Sequence, residues 1–497
     1  MSPLILFSFV IGYFLVLLLV AYITSKNSNN DSFFIGNRNS NWMLVAFGMI
    51  GTSLSGVTFV SVPGGVGRPM GAGVEGFSYF QIVLGYLIGY FIIAYVLLPM
   101  YYRLNLTSIY NYLHKRLGIV SYKTGACFFI LSRTLGATAR LYLVVKILQD
   151  SIFANLGSGF HIPFWLTTLI ILLMILLYTF KGGVKTIVYT DTLQTTCMLV
   201  GLVVCVVYIL HSLDLSLGSA LSAMSDKGYS NIFVTDPNSK LFLVKQILAG
   251  AFITVTMTGM DQEMMQKNIS VRTYTDSRKN MLSFSGILVV VNLLFLLLGG
   301  LLYLFAEKNG ITETGDKLFP AAAILHMPPY ITIIFIIALI SALFPSADGA
   351  ITALTSSFCI DIIGMQRNEH MDETSKKRTR QIVHLSFAFI FLLMVMVFKW
   401  INDPSMIGVI LKIAGYTYGP LLGLFAFGIL TKLNVKDQLV PVVTILSPVA
   451  CFFIDKYQSD LFGKFQIGLE LLIINGLLTF LGLLAISSPA RTGDIKA

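Results

Sequence analysis

Charged side chains are scarce in this chain of 497 residues. Only 12% of its residues are charged, whereas 56% are hydrophobic. An average soluble domain has roughly 25% charged residues, so the composition excludes an ordinary soluble fold around a single core. The formal net charge is +10, but no nucleic-acid-binding motif accompanies it, and no nucleic-acid partner is expected.

Cysteine and histidine are also few, and they are isolated. The five cysteines stand singly in apolar segments, without a CxxC pair or a Cys/His ligand spacing. This pattern favours neither a disulfide framework nor a zinc site. The six histidines lie at or beyond the ends of the apolar segments. No motif pairs any of them with a nucleophile, so we do not expect an enzyme.

Long apolar runs fill most of the chain. A helix crosses a bilayer with about 20 apolar residues, and these runs are too long for the strands of a membrane barrel. The sequence therefore predicts an all-α polytopic membrane protein with about 13 transmembrane helices. The predicted segments are 4–24, 43–63, 77–100, 123–150, 162–180, 187–212, 244–262, 281–305, 330–360, 382–401, 406–430, 438–455 and 465–487.

Lysine and arginine are unevenly distributed between the alternate loops. One set of loops holds about 21 of them and the other about 7. Because cytoplasmic loops carry the positive excess, we expect the N-terminus outside and the C-terminus inside. The first segment lacks a basic start and a cleavage site, so it is interpreted as a retained helix.

The second segment is rich in residues that weaken a helix. Unpaired backbone in lipid costs several kcal/mol per group, so irregular backbone is expected only where it lines a cavity or binds something. A discontinuous helix of this kind is typical of ion and substrate sites in transporters. A Gly/Ser-rich packing face is the alternative. The residues concerned are Gly48, Gly51, Thr52, Ser53, Ser55, Gly56 and Thr58.

The seventh segment is similarly rich in glycine and hydroxyl residues, with Thr254 and Thr258 near Asp261. It lies five segments after the second, which suggests an inverted repeat of five plus five helices with the site between the halves. The predicted parts are a leading helix at 4–24, a first repeat at 43–212, a second repeat at 244–430 and two trailing helices at 438–487.

The ninth segment contains an intramembrane carboxylate, Asp348. Ser341, Asp348 and Thr352 are spaced so that they share one helix face. Pro345 removes a backbone donor within the same segment. A carboxylate near mid-membrane indicates a functional site, and a structural partnership with a basic residue is the alternative.

Asp191 in the sixth segment is a second carboxylate at a similar depth. Asp191 and Asp348 are therefore candidates for a shared cation site. Because neither cysteine nor histidine accompanies these oxygen ligands, Na⁺ or another hard ion suits them better than zinc.

Two arginines on the fourth segment, Arg133 and Arg140, are seven residues apart and share a face. Arginine offers bidentate donors to a carboxylate, which indicates an anionic substrate. Ion pairs with Asp191, Asp348 or Asp261 are the structural alternative.

Four motifs together resemble the sodium:solute symporter family, which includes sodium/glucose, sodium/proline and bacterial sialic acid symporters. They lie at residues 31–38, 106–113, 182–194 and 415–423. The resemblance covers nearly the full length. It implies a LeuT-like core of ten helices with an extra leading helix, and a location in the plasma membrane, as in a bacterial inner membrane.

The resemblance also implies a sodium site. Carried over by position, its ligands are the carbonyls of Gly51, Leu54 and Ala342 and the side chain of Ser346. Many relatives have two adjacent hydroxyl residues here, but this chain has Pro345 at the first of them.

A second sodium site, found in some relatives, uses an aspartate that matches Asp191. Its hydroxyl partners correspond here to Asp348 and Gly349, so a second ion with different ligands stays open. The implied substrate cavity lies beside the broken helix. Its expected residues are Ser53, Ser55, Thr58, Gln81, Thr254 and Thr258, with Arg133 and Arg140 as candidates from the pattern above.

The leading hypothesis is a secondary transporter that takes up a small polar organic solute with Na⁺ by alternating access. The solute is a sugar, a sugar acid, an amino acid or another carboxylate. Its expected partners are the solute, Na⁺ and the lipid bilayer, and the sequence leaves the oligomeric state open. A proton-driven symporter, with Asp191 and Asp348 as carriers, is the nearest rival. A solute sensor or a membrane enzyme is a more distant one.

Overall fold

The chain is described by a computed structural model, over residues 3–25, 33–34, 36–71, 73–152, 162–368, 370–401 and 405–489. It is almost entirely helical there. Residues 31, 32 and 35 of the motif at 31–38 lie outside the described residues. The last residues, 490–497, also lie outside.

The helices are numbered here in chain order, and those that contain a π-helical or 3-10 turn are given whole. They are α1 (Pro3–Thr24), α2 (Trp42–Ser53), α3 (Gly56–Gly65), α4 (Tyr79–Arg103), α5 (Asn111–Arg116), α6 (Ile119–Ser151), α7 (Phe164–Phe180), α8 (Gly183–Leu213), α9 (Leu217–Asp226), α10 (Leu243–Gly259), α11 (Gln262–Ile269), α12 (Tyr274–Asn309), α13 (Gly315–His326), α14 (Pro329–Ile363), α15 (Glu373–Ile401), α16 (Met406–Thr417), α17 (Gly419–Leu430), α18 (Asp437–Lys456), α19 (Gln458–Phe462) and α20 (Leu471–Ala485).

The remaining regular structure is short. Two-residue strands form two antiparallel ladders, one between β1 (Pro69–Met70) and β2 (Gly73–Val74) and one between β3 (Asn434–Val435) and β4 (Ser487–Ser488). The second ladder joins the segment just after α20 to the loop before α18.

Membrane-spanning length is common among the described helices. Eight are long and apolar enough to cross a bilayer, and there are up to 11 spans if each of three bent pairs is one span. Two shorter apolar helices, α7 and α20, are also present. The prediction of an all-α polytopic membrane protein is thus confirmed, while the figure of 13 spans stays a prediction.

The predicted breaks are present in the second and seventh segments. Helices α2 and α3 meet at 57°, and α10 and α11 meet at 64°. A third bend of 44° separates α16 from α17, where the sequence predicted one continuous span over 406–430. Pro420 lies at the start of α17 and has no N–H to continue the preceding helix, which accounts for the bend.

The second half of the broken seventh segment extends further than predicted. We expected the span to end at residue 262, but α11 continues to Ile269. Asp261 caps this helix, because its side chain accepts from the amides of Glu263 and Met264. Lys267, expected in a cytoplasmic loop, is therefore on a buried helix with only 3% of its surface exposed.

Helix α14 forms the centre of the fold. Its residues are buried almost continuously from Ala338 to Ser357. It packs against α2, α3, α6, α7 and α8, so the stripe that carries Asp348 faces protein and not lipid. This placement positions α14 beside the break between α2 and α3.

Helices α4 and α10 approach each other through glycine. A Cβ atom added to Gly85 would lie 2.2 Å from the carbonyl oxygen of Ile247. One added to Gly250 would lie 2.3 Å from the carbonyl oxygen of Ile82. Small residues of this kind let membrane helices bring their backbones together.

Candidate functional site

The site is organised around the break between α2 and α3. Helix α2 ends at Ser53, and Leu54 has φ −92° and ψ 81°, outside the helical region. A helix that ends here leaves the carbonyls of its last turn without intrahelical donors. Those carbonyls include that of Gly51, one of the predicted sodium ligands.

The break lies against α14, where the other predicted ligands are found. A Cβ atom on Gly51 would lie 3.5 Å from Cγ of Pro345, and one on Gly56 would lie 3.7 Å from the Leu343 amide nitrogen. The two stretches that the sequence assigned to one sodium site are thus in direct contact.

The oxygen donors at this contact suit a hard cation. The buried Ser346 hydroxyl donates to the Leu343 carbonyl at 2.8 Å, and its lone pairs are left to accept. Pro345 has no N–H, which removes the donor that the Ser341 carbonyl would use one turn earlier. Hydroxyl and carbonyl oxygens are ligands that Na⁺ accepts and that soft metals do not prefer.

A small cavity of about 90 Å³ lies beside the same break. Its lining residues come from α2, α3, α4, α6, α10, α11, α12 and α16 as well as the break itself. Seven of the eight predicted substrate residues line it, namely Ser53, Ser55, Thr58, Arg133, Arg140, Thr254 and Thr258.

The eighth predicted substrate residue, Gln81, does not line this cavity. Its amide donates to the carbonyls of Ser78 and Leu241 at 3.2 and 3.0 Å and accepts from the Val234 amide at 3.1 Å. The side chain ties the segment before α10 to the start of α4, so its polar atoms are already used.

Arg133 has protein partners as well as a place in the cavity wall. It forms a close ion pair with Glu263, and its guanidinium lies 3.8 Å from the Asp261 carboxylate. The Tyr418 hydroxyl donates to the same carboxylate at 2.6 Å. The structural alternative is therefore correct for Arg133 with Asp261, while Glu263 was not foreseen as a partner.

Arg140 differs from Arg133 in this respect. It lines the cavity about two turns further along the same face of α6, near Tyr79 and Tyr86, whose hydroxyls are 3.3 Å apart. Within the described ranges, no carboxylate lies within 4.0 Å of its guanidinium. Arg140 is thus a cation in the cavity wall without a direct ion-pair partner among the described residues.

Asp191 has a protein cation as its partner. The Lys267 amino group donates to its carboxylate at 2.7 Å, and the Thr52 hydroxyl donates to the same oxygen at 3.2 Å. Sequence reasoning missed Lys267 because it placed the residue in a loop. The signal was Asp261 followed by Glu263, which marks a new helix start beyond the break.

Asp348 is buried on α14, as predicted, but its bond is to a phenol. Its carboxylate accepts from the Tyr178 hydroxyl at 2.7 Å. The expected alternative of a basic partner is wrong for the described part of the chain, since no lysine or arginine there lies within 4.0 Å of it. A cation shared by Asp191 and Asp348 would have to compete with Lys267, because the Lys267 amino group already binds the Asp191 carboxylate.

The fold is polytopic and helical, with two discontinuous helices and a polar cavity beside the break. This architecture is typical of secondary transporters. Residues 33–437 match the model of the sodium:solute symporter family. The chain therefore belongs to the sodium:solute symporter family, as its motifs suggested.

Individual relatives agree with this assignment. The chain is 24% identical to the sodium/sialic acid symporter SiaT of Proteus mirabilis, over 94% of this chain and 93% of the relative. It is 25% identical to the sodium-coupled monocarboxylate transporter 1 of Mus musculus, over 82% and 66%. A solved Na⁺-coupled sialic acid symporter aligns with a TM-score of 0.82 and 20% identity, over 98% of this chain and 99% of that one.

These matches confirm the main functional hypothesis. The protein is a Na⁺-coupled membrane transporter of a small solute, with a LeuT-like fold, and it is not an enzyme. Sodium coupling is favoured over the proton-driven rival because the family and the matched relatives are sodium symporters.

Proposed function

We propose that the transported solute is an organic anion with a carboxylate and several hydroxyl groups. The observation that carries this proposal is Arg140. An arginine in a cavity wall without a direct ion-pair partner favours an anionic ligand, because a buried charge is stable only when it is paired and hydrogen-bonded. Guanidinium geometry matches a carboxylate through two parallel hydrogen bonds.

The other cavity residues support a polyhydroxylated solute. Ser53, Ser55, Thr58, Thr254 and Thr258 surround the cavity with hydroxyl groups that both donate and accept hydrogen bonds. Two relatives are named for sialic acid and for monocarboxylates, and both names describe carboxylic acids. A sugar acid of this type is the solute class that fits the lining best.

We further propose that one Na⁺ is held where the break meets α14. Its ligands are the carbonyls of Gly51, Leu54 and Ala342 and the Ser346 hydroxyl, with the Ser341 carbonyl, deprived of its donor by Pro345, as a substitute for the missing hydroxyl. The free carbonyl oxygens at the break would coordinate Na⁺, which would satisfy lone pairs that no backbone donor reaches.

The proposed sodium site and the solute cavity share one short segment, and this sharing couples the binding of Na⁺ to the binding of solute. Gly51 and Leu54 belong to the sodium site, whereas Ser53 and Ser55 line the solute cavity, and all four lie within five residues of one another. Ordering this segment around the cation therefore also orders the hydroxyls for the solute. A ligand that stabilises one conformation of a shared element strengthens binding of the other ligand.

The wider organisation is also proposed. Residues 43–212 and 244–430 form the two inverted repeats, 4–24 the leading helix and 438–487 the trailing pair. The positive excess in one set of loops places the N-terminus outside and the C-terminus inside. The proposed membrane is the plasma membrane, a bacterial inner membrane if the chain shares the bacterial origin of its Proteus mirabilis relative, and solute moves inward with Na⁺.

The anion proposal is tested by replacing Arg140 with methionine. We expect Na⁺-driven uptake of N-acetylneuraminate or lactate into proteoliposomes to fall about 10- to 100-fold, the loss of one hydrogen-bonded ionic contact. Arg140→Lys should retain part of the activity, because lysine keeps the positive charge but lacks the two parallel N–H donors of the guanidinium. The solute panel should include glucose as an uncharged comparison.

The matched control for that experiment is Arg103→Met. Arg103 is exposed at the end of α4 and does not line the cavity, so uptake should stay at the wild-type level. Wild-type protein that transports glucose but neither acid would sink the anion proposal, as would unchanged acid uptake in Arg140→Met.

The sodium site is tested by Ser346→Ala. Loss of one oxygen ligand should raise the Na⁺ concentration for half-maximal uptake about tenfold, while Tm in Na⁺-free buffer changes little. Ser386→Ala is the control, since the Ser386 hydroxyl bonds to its own helix at 2.9 Å on the exposed face of α15. An unchanged Na⁺ dependence in Ser346→Ala would remove Ser346 from the site.

A further inference from the structure

The amino group of Lys267 is bound at a position where a cation was expected. It donates to the Asp191 carboxylate at 2.7 Å and to the Thr52 hydroxyl at 2.6 Å. The Glu263 carboxylate lies 3.8 Å away. These partners come from α2, α8 and α11, so a single ammonium joins three helices next to the break.

Two glycines make room for this ammonium and its partners. A Cβ atom on Gly349 would lie 2.3 Å from a Glu263 carboxylate oxygen and 3.2 Å from the Lys267 amino nitrogen. One on Gly48 would lie 3.1 Å from Cβ of Asp191. A larger residue at position 349 would displace Glu263 and Lys267. The absence of a side chain at Gly349 and Gly48 thus leaves space for the Lys267 ammonium and its carboxylate partners.

The competing arrangement is a second Na⁺ on the other oxygen of Asp191. That oxygen, Oδ1, is buried and has no hydrogen-bond partner among the residues that the structure describes. A metal ion bound to it would share one carboxylate with the Lys267 ammonium. Two positive charges so close together repel strongly where the effective dielectric constant is low.

We propose that Lys267 replaces a second Na⁺, so that the protein binds one Na⁺ per cycle. The ammonium neutralises Asp191 from within the chain, and the only exchangeable Na⁺ is the one at the break. This inference rests on the sodium site proposed above. With a singly charged carboxylate as solute, the cycle is then electroneutral, and the membrane potential does not drive uptake.

The direct test counts bound ions. Purified full-length protein in detergent is titrated with ²²Na⁺ in the absence of solute, and we expect one ion per chain and a Hill coefficient near 1. Two ions in the wild type would overturn the role of Lys267 while leaving sodium coupling intact. No bound ion would instead overturn the sodium site itself, so the two failures are distinguishable.

Variants at position 267 test the cause. Lys267→Met leaves the carboxylates of Asp191 and Glu263 without the ammonium, and we expect a second Na⁺ to bind, with the Hill coefficient rising toward 2. Lys267→Arg keeps the charge and should bind one. A single ion in folded Lys267→Met would contradict the proposal.

A double variant guards against misfolding of Lys267→Met. Lys267→Met with Asp191→Asn removes both charges of the pair and should bind one Na⁺, as the wild type does. Two ions in this double variant would overturn the proposal, because Asp191 would not be the ligand that the ammonium blocks. The wild-type count is decisive even if neither variant folds.

Discussion

Gly250→Val is expected to prevent assembly of the folded transporter. The added Cβ would lie 2.3 Å from the Ile82 carbonyl oxygen and 3.2 Å from the Gly85 Cα. Both obstacles are backbone atoms, so no side chain can rotate away and α4 and α10 must separate. Overpacking typically costs about 1–3 kcal/mol and sometimes more, and the upper end is expected here because backbone atoms are the obstacle. Size-exclusion chromatography of the detergent-solubilised protein should show loss of the monodisperse peak.

Gly286→Val is the matched control. Gly286 is also in the interior of a long helix, α12, but it is exposed and has nothing within 4 Å of its added Cβ. It should elute and melt as the wild type does. A normal profile for Gly250→Val would show that the contact between α4 and α10 is looser than the glycine geometry requires.

Arg133→Met is expected to cause the second large loss of stability. The change leaves Glu263 and Asp261 buried without the guanidinium that pairs with them. Removing one partner of a buried ion pair costs about 3–5 kcal/mol, and only the Lys267 ammonium, 3.8 Å away, would still face Glu263. Thermal unfolding of purified protein should show a clearly lower Tm.

Two further variants separate the buried charge from loss of packing. Arg133→Met with Glu263→Gln should be about 1–3 kcal/mol more stable than Arg133→Met alone, since the unpaired charge is gone. Lys279→Met breaks an exposed pair with Asp276 and should cost less than about 1 kcal/mol. Equal Tm values for Arg133→Met and Lys279→Met would contradict the account of the Arg133 cluster.

Breaks in helices were predictable where composition alone weakens the helix. The glycines and hydroxyl residues between Gly48 and Thr58 indicated the break that the structure places at Leu54. The bend before Gly419 and Pro420 was missed, because the flanking residues are as apolar as any spanning helix. The continuation through α11 to Ile269 was missed because a charged segment normally indicates a loop, and only burial by neighbouring helices makes it part of the core.

Site residues were predictable where the evidence for them lies within a short stretch of sequence. Hydroxyl groups beside a broken helix, such as Ser53 and Thr254, line the cavity as expected. Gln81 is also polar, but its side-chain amide is hydrogen-bonded to backbone groups of a segment that is distant in the sequence. Whether a polar side chain is free or satisfied depends on contacts between remote segments, which one sequence does not contain.

The sequence by itself determined that the chain spans a membrane with helices, that two of those helices are broken, and that its family couples solute to Na⁺. These properties follow from hydrophobic length, helix-breaking residues and local motifs, which act over short stretches of chain. Only the tertiary structure decided that Lys267 pairs with Asp191, that Arg133 is satisfied by Glu263, and that Arg140 is not paired by the described residues. Charge pairing in a medium of low dielectric is set by distances of a few ångströms between separate helices, and packing alone fixes those distances.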